Sequence, residues 1–170
     1  KASRMAAFLI TGKWGVLAEQ EARKYGNTVV ALTGESTGFR SIPEWDPQQL
    51  DPETSYVHLT SNNTLYGTQW HQFPDTAEVP MVSDSTSDIL SREVDYSHFG
   101  IVFASLQKNL GPSGLALVLV RRDLLGNALP ETPKLLDYAL THEQNSLTNT
   151  INVFSIYVTL KVLKWVENEG

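Results

Sequence analysis

The chain has 170 residues, 41% hydrophobic content and a formal net charge of -6, enough for one domain with its own core. The acidic balance argues against a nucleic-acid or anionic-membrane surface. The absence of cysteine excludes disulfides and thiolate metal sites, and no apolar run approaches the roughly 20 residues that span a bilayer. Composition leaves the compartment open. The chain opens on Lys1 without a charged-then-apolar leader and reads as a segment of a longer polypeptide.

In chain order, residues 5–10 (MAAFLI) predict a strand that stops at Thr11-Gly12. Val16, Leu17, Ala22 and Tyr25 then recur in a charged segment, which predicts a helix from about 14 to 25 closed by Gly26. Thr28 to Leu32 reads as the next strand, and a strand–helix–strand unit implies a parallel pair. Residues 33–55 carry Gly, Ser, Pro, Asp and Glu without periodicity and read as a surface excursion with a short helix near Pro47 to Leu50. Tyr56 to Leu59 is a short strand. It runs into the polar Thr60-Ser61-Asn62-Asn63-Thr64, a candidate cap for a helical turn near Leu65. Val79 to Val82 is another strand, ending in Ser83-Asp84-Ser85-Thr86-Ser87-Asp88. Both strands deliver hydroxyls, amides and carboxylates at their carboxyl ends, the edge where ligands bind in open α/β sheets.

Residues 99–121 form the centre of the pattern: an apolar run to Ala104, then Gln107-Lys108-Asn109, a turn at Gly111-Pro112-Ser113-Gly114, and a second apolar run from Leu115 to Val120. A lysine fixed at the end of a buried strand is costly without a partner or a task. One such task is imine formation with a carbonyl cofactor; the alternative is a lysine snorkelling from a hairpin. A short helix is predicted around Pro133 to Leu140. From Asn152 to about Asn168, Val153, Ile156, Tyr157, Leu160 and Leu163 follow helical spacing, while Val158, Val162, Trp165 and Val166 widen the stripe. A helix apolar over so much of its circumference needs cover on more than one side, from further sequence or another subunit.

Asp84 and Lys108 each end a predicted strand. If the strands are neighbours, carboxylate and amine face one crevice, the pair that a pyridoxal phosphate site requires. Taken singly, Asp84 reads as a helix cap and Lys108 as a hairpin residue. The stretches Tyr56-Val57-His58, Asn62 to Gly67, Val82 to Arg92, Tyr96 to Gly100, Gln107 to Gly114, Val120 to Gly126 and Asn149-Thr150 together resemble the phosphoserine aminotransferases, fold type I pyridoxal-phosphate enzymes, in order and spacing.

The resemblance implies an α/β fold with a mostly parallel sheet flanked by helices. Residues 1–170 would be the cofactor-binding large-domain segment, without the N-terminal phosphate loop and the C-terminal small domain. It implies transamination between glutamate and 3-phosphohydroxypyruvate in a cytoplasmic homodimer of serine biosynthesis. Lys108 would be the Schiff-base lysine and proton shuttle, Asp84 the partner of the pyridinium nitrogen, and Trp14 the aromatic stacked on the ring. Thr64 would bond near the phenolic oxygen and Gln107 would contact the phosphate. Asn149 and Thr150 would reach the partner subunit's cofactor phosphate. Read alone, Trp14 is a helix-start core residue, Thr64 a cap, Gln107 a turn residue, and Asn149-Thr150 a cap for the helix near Asn152.

The chain departs from the family pattern at Asn63, at Ala104-Ser105-Leu106 and at Ile151-Asn152, which leaves open another small or phosphorylated oxo acid, or a non-catalytic scaffold. His58, His71, His98 and His142 lack close ligand spacing, so no metal is assigned and they read as surface or hydrogen-bonded residues. Gly111 to Gly114 lacks the lysine-hydroxyl ending of a P-loop. Glu19, Glu21, Glu167 and Glu169 read as solvated helix faces.

Overall fold

Ala6 to Ile10 and Val57 to Thr60 are buried at every position, a pattern that suits strands covered on both faces. In the computed structural model, which describes residues 5–169, these runs lie in β1 (Met5–Ile10) and β3 (Thr54–Thr60). Between them come α1 (Lys13–Ala22) and β2 (Asn27–Thr33). A small ladder of β4 (Asn62–Asn63) and β5 (Thr68–Gln69) follows, then β6 (Met81–Asp84), β7 (Phe99–Ser105), β8 (Ala116–Val120), α2 (Tyr138–Glu143) and α3 (Val153–Glu169). The main sheet has the order β2-β1-β3-β6-β7-β8. Its first five strands pair in parallel, and β8 returns antiparallel along β7. The sheet is therefore the mostly parallel α/β sheet that the resemblance implies, and β1 and β2 form the parallel pair of the strand–helix–strand reading.

Two apolar layers hold it. On one face Ala7, Leu9, Val57, Leu59, Met81 and Val102 join a core closed by Ile42, Trp45 and Leu50 of the 33–55 excursion and by Trp70 and Phe73. On the other, Ala6, Phe8 and Ile10 meet Val16, Ala18 and Ala22 of α1.

Several boundaries differ from expectation for local reasons. Helix α1 ends at Ala22, because Lys24 and Tyr25 tighten into bonds to the carbonyls three residues back, Glu21 and Ala22, before Gly26. The strand predicted at Val79 starts at Met81, since the Val79 N–H is taken by Thr76 O in a turn at 3.0 Å. The helical turn expected near Leu65 is the tip of the β4–β5 hairpin, where Tyr66 and Gly67 both donate to Asn63 O. The helix expected from Pro133 splits into a 3-10 turn at Lys134–Leu136 and α2, because Asp137 is extended and caps α2 through Ala139 N at 2.9 Å.

The last helix forms as read. Asn152, not Asn149-Thr150, caps α3 by accepting from Ser155 N at 3.1 Å. Val153, Phe154, Tyr157, Leu160 and Trp165 of α3 are exposed.

Glu19 is a correction. It is only 3% exposed and accepts hydrogen bonds from Arg23 of its own helix and from Thr28 of β2. Burial works to raise its pKa, but those bonds and the Arg23 charge outweigh it and hold the carboxyl below its ordinary 4.5. A group depressed in this way stabilises the fold above its unfolded-state value, and the contribution is lost as pH falls through the folded-state value. Glu19→Gln is therefore expected to cost about 1 kcal/mol at pH 7, with the deficit shrinking on acidification below about pH 4. Urea melts from pH 7 to pH 3 check this.

Candidate active site

The chain leaves β1 toward β2 on one side and comes back as β3 on the other, so the sheet has a switch point between β1 and β3. In open α/β sheets ligands bind beyond the carboxyl ends of the strands at such a point. Thr11 to Trp14 follow β1, Ser61 to Asn63 follow β3, the Ser83–Asp88 run spans the end of β6, and Leu106 to Lys108 follow β7.

Lys108 stands on a single turn, three residues past the end of β7. Leu110 and Gly111 donate to Leu106 O at 3.1 and 2.9 Å, closing the turn. Leu106 and Leu110 point into the core while Gln107, Lys108 and Asn109 face outward. Two buried leucines four positions apart thus decide where the lysine goes. Asn109 Nδ2 ties the turn to Ile89 O, and Ser155 Oγ of α3 donates to Ser113 O at 3.1 Å. A Cβ on Gly111 would lie 2.6 Å from Thr159 Oγ1, so α3 and this loop touch at a residue without a side chain. Lys108 itself is exposed, on the turn that follows the largely buried β7. Its Nζ lies over the Trp14 ring, 5.7 Å from the centroid, within range of a cation–π attraction.

Asp84 is the last residue of β6, half-buried, and β6 and β7 are adjacent with Asp84 opposite Phe103. One carboxylate oxygen accepts from Thr86 N at 3.0 Å; the other has no partner among the described residues. The backbone around Asp84 is held from both sides. Ser61 N and Oγ donate to Asp84 O at 3.0 and 3.1 Å, and Ser61 Oγ also bonds buried Asp88, which accepts from Gln69 Nε2 at 3.0 Å. Ser85 N donates to Phe103 O at 2.8 Å, and Ser105 N to Thr86 Oγ1 at 3.2 Å. Sequence reasoning singled out neither Ser61 nor Asp88. The signal was a hydroxyl-rich loop followed by an acid that proves to be buried.

Trp14, in the first turn of α1, is 43% exposed. The start of α1 is set by Asn63, 1% exposed, which donates to Thr11 Oγ1 at 2.8 Å, while Thr68 Oγ1 donates to Thr11 O at 3.3 Å. Gly12 lies so close to Asn63 that a Cβ there would meet Oδ1 at 2.2 Å and Cγ at 2.7 Å.

The structure thus brings Lys108 and Trp14 together and sets Asp84 on the same edge. Gln107 is exposed beside Lys108, and Thr64 is exposed at the hairpin tip. Asn149 and Thr150 are exposed between α2 and α3, and the hydrogen bond found there joins only the two of them, Asn149 Nδ2 to Thr150 O at 3.4 Å. His71, His98 and His142 lie at the surface, whereas His58 is buried with Nδ1 unpartnered, contrary to the surface or hydrogen-bonded reading. No group of acidic residues and histidines among the described residues could hold a metal ion. The edge carrying Lys108 is an open shelf. A walled cleft of about 570 Å³, lined by Phe73, Arg92 and His98, lies instead at the amino ends of β6 and β7.

The family model for class-V aminotransferases matches residues 3–170. The chain belongs to the class-V aminotransferases. It is 46% identical over 165 residues to the phosphoserine aminotransferase of Lysinibacillus sphaericus strain C3-41, covering 97% of this chain and 46% of that protein. The Niallia circulans phosphoserine aminotransferase is 43% identical over 170 residues, covering 100% and 47%. The structure of phosphoserine aminotransferase from Bacillus circulans subsp. alkalophilus superposes with a TM-score of 0.93 at 42% identity, over 99% of this chain and 46% of that one. The pyridoxal-phosphate-bound phosphoserine aminotransferase of Trichomonas vaginalis superposes at 0.87 and 28%, covering 99% and 48%. The chain spans about half the length of the curated relatives it matches.

In this class-V aminotransferase chain the Gly12–Asn63 contact locks the element that carries Trp14. Gly12→Ala is expected to force Asn63 off Thr11, to lower stability by about 1–3 kcal/mol, and to shift the Trp14 fluorescence maximum. Thermal melts and emission spectra, read against a Trp14→Phe control, check both.

Proposed function

We propose that this chain carries the lysine and the ring-binding face of a pyridoxal-phosphate aminotransferase, which transfers the amino group of glutamate to 3-phosphohydroxypyruvate to give 2-oxoglutarate and O-phosphoserine, a step of serine biosynthesis. The observation that carries this reading is the Lys108 amine 5.7 Å from the centre of the Trp14 ring. A primary amine over an exposed indole face, next to an acidic strand end, suits a flat, electron-poor ring bearing an aldehyde. The residues present fit that cofactor: an amine for the aldehyde, an indole face for the ring, and a free oxygen on Asp84 for a protonated ring nitrogen. The substrates follow from the relatives, which are 41–47% identical and named phosphoserine aminotransferase.

Bound at this edge, pyridoxal phosphate supplies an aldehyde that captures an amino group and a ring that accepts the electron pair left when a carbon-bound proton departs. Lys108 would be the residue that holds the cofactor's aldehyde, through its amine. As a free amine Lys108 would move the proton that leaves the substrate's α-carbon, acting as base and then as acid. Asp84 would favour a protonated ring nitrogen by offering it a carboxylate oxygen, and Trp14 would supply an indole face for the ring. Thr64 donates toward the phenolic oxygen and Gln107 toward the phosphate.

Asn149 and Thr150, remote from these groups in the chain's own contacts, serve the partner subunit's phosphate in a cytoplasmic homodimer. The exposed apolar residues of α3 support an assembly that covers that face. Residues 1–170 act here as the large-domain segment, with the phosphate loop and a substrate-clamping arginine supplied from outside it.

Borohydride reduction after adding pyridoxal phosphate is expected to place the reduced cofactor's mass on the Lys108 peptide. Lys108→Ala should abolish the cofactor absorption band, leave the far-ultraviolet circular dichroism unchanged, and lower glutamate turnover by roughly 10²–10⁴-fold. Mass on another lysine such as Lys13, or an unchanged band in the variant, would contradict the assignment.

A further inference from the structure

Asp88 is a buried acid that the proposed chemistry leaves unused. It lies one turn past the end of β6 and is 7% exposed. Burying a carboxylate is costly unless its oxygens find donors, and an apolar side chain would fill the place without that cost. Both oxygens are taken, Oδ1 by the Ser61 hydroxyl and Oδ2 by Gln69 Nε2 at 3.0 Å. The backbone is fixed as well. Asp88 N and Ile89 N donate to Ser85 O at 3.2 and 2.9 Å, and Ser91 N and Oγ donate to Asp88 O at 3.1 and 2.7 Å.

The two donors belong to different walls of the site. Ser61 follows β3, and its N–H donates to Asp84 O at 3.0 Å. Its hydroxyl has one proton and two acceptors in reach, Asp84 O at 3.1 Å and the Asp88 carboxylate. A carboxylate is the stronger acceptor, so the proton is drawn to Asp88 while the amide holds Asp84. Gln69 belongs to β5, in the hairpin that carries Thr64 at its tip. Asn63 and Thr68 of that hairpin hold Thr11, three residues before Trp14. One position after Asp88, Ile89 O accepts from Asn109 Nδ2, beside Lys108. The segments that bear Asp84, Trp14 and Lys108 leave three different strands, and their ties converge on Asp88 and Ile89.

We propose that Asp88 is a positioning residue of this site: its carboxylate ties Ser61 to Gln69 and so fixes the strand end bearing Asp84 against the hairpin that seats Trp14, while the Ile89–Asn109 bond joins the Lys108 turn to the same point. The consequence for turnover rests on the cofactor reading; the tie itself does not.

Amide hydrogen exchange and kinetics of Asp88→Ala, Ser61→Ala and the double variant test this. In cofactor-free protein, Asp88→Ala is expected to speed exchange of the Ser61 and Thr86 amide protons, which bond Asp84 O and Asp84 Oδ1, about tenfold, with those of Ala7 and Phe8 in β1 unchanged. Unchanged exchange at Ser61 and Thr86, or equal acceleration at Ala7 and Phe8 as in a general loosening, overturns the proposal. Ser61→Ala, which removes one oxygen, carries the same test at Thr86 should Asp88→Ala not fold. With pyridoxal phosphate bound, each single variant is expected to lower kcat about tenfold at unchanged KM for glutamate. The double variant should lose no more than the larger single loss, because both changes break one tie. Asp88→Asn, which keeps the shape and an acceptor for Ser61, should recover most of the loss. Full kcat in Asp88→Ala, or losses that multiply in the double variant, contradicts the positioning role. Exchange without cofactor decides the tie and the Lys108 label decides the cofactor reading, so the two fail separately.

Discussion

The parallel register of β3, β6 and β7, which sets Thr60, Asp84 and Phe103 side by side, is the constraint on which the candidate site depends. In a parallel sheet every strand ends at the same edge, so three chain segments far apart in sequence deliver their first loop residues to one edge. A slip of one residue in β6 would turn Asp84 to the opposite face and replace it with a serine. The bonds from Ser61 to Asp84 O and from Ser85 to Phe103 O extend the ladder past the strand ends and hold that register into the loops.

At this edge Lys108 and Trp14 are exposed and Asp84 is half-buried, while residues one or two positions away are buried. Leu106 and Leu110 are inside and Lys108 is outside; Thr11 and Gly12 are inside and Trp14 is outside; Ser83 and Ser85 are inside and Asp84 lies between them. Reactive groups are thus presented from a rigid base, and the precision comes from packing one or two positions away.

Much of this was legible in the sequence because the signals are local. Continuous apolar runs read as buried strands, the Asn152 region read as a helix start, and the hydroxyl-rich ends of β3 and β6 marked the ligand edge. The misreadings share a physical cause, which is that long-range contacts overrode local pattern. Glu19 looked like a solvated helix residue until Thr28 and Arg23 closed on it. Leu65 looked like the start of a helix, yet Asn63 and Thr68 pair across a hairpin. His58 carried no spacing signal, and its burial among Phe8 and Phe103 comes from neighbouring strands.

The most direct measurement of the central claim, that Lys108, Trp14 and Asp84 bracket one ring, is a crystal structure of the protein grown with pyridoxal phosphate. The account expects the ring to lie on the Trp14 indole, its nitrogen within hydrogen-bonding distance of an Asp84 oxygen, and its aldehyde carbon joined to Lys108 Nζ. A cofactor seated elsewhere, for example in the cleft between Phe73, Arg92 and His98 at the opposite edge of the sheet, would contradict it.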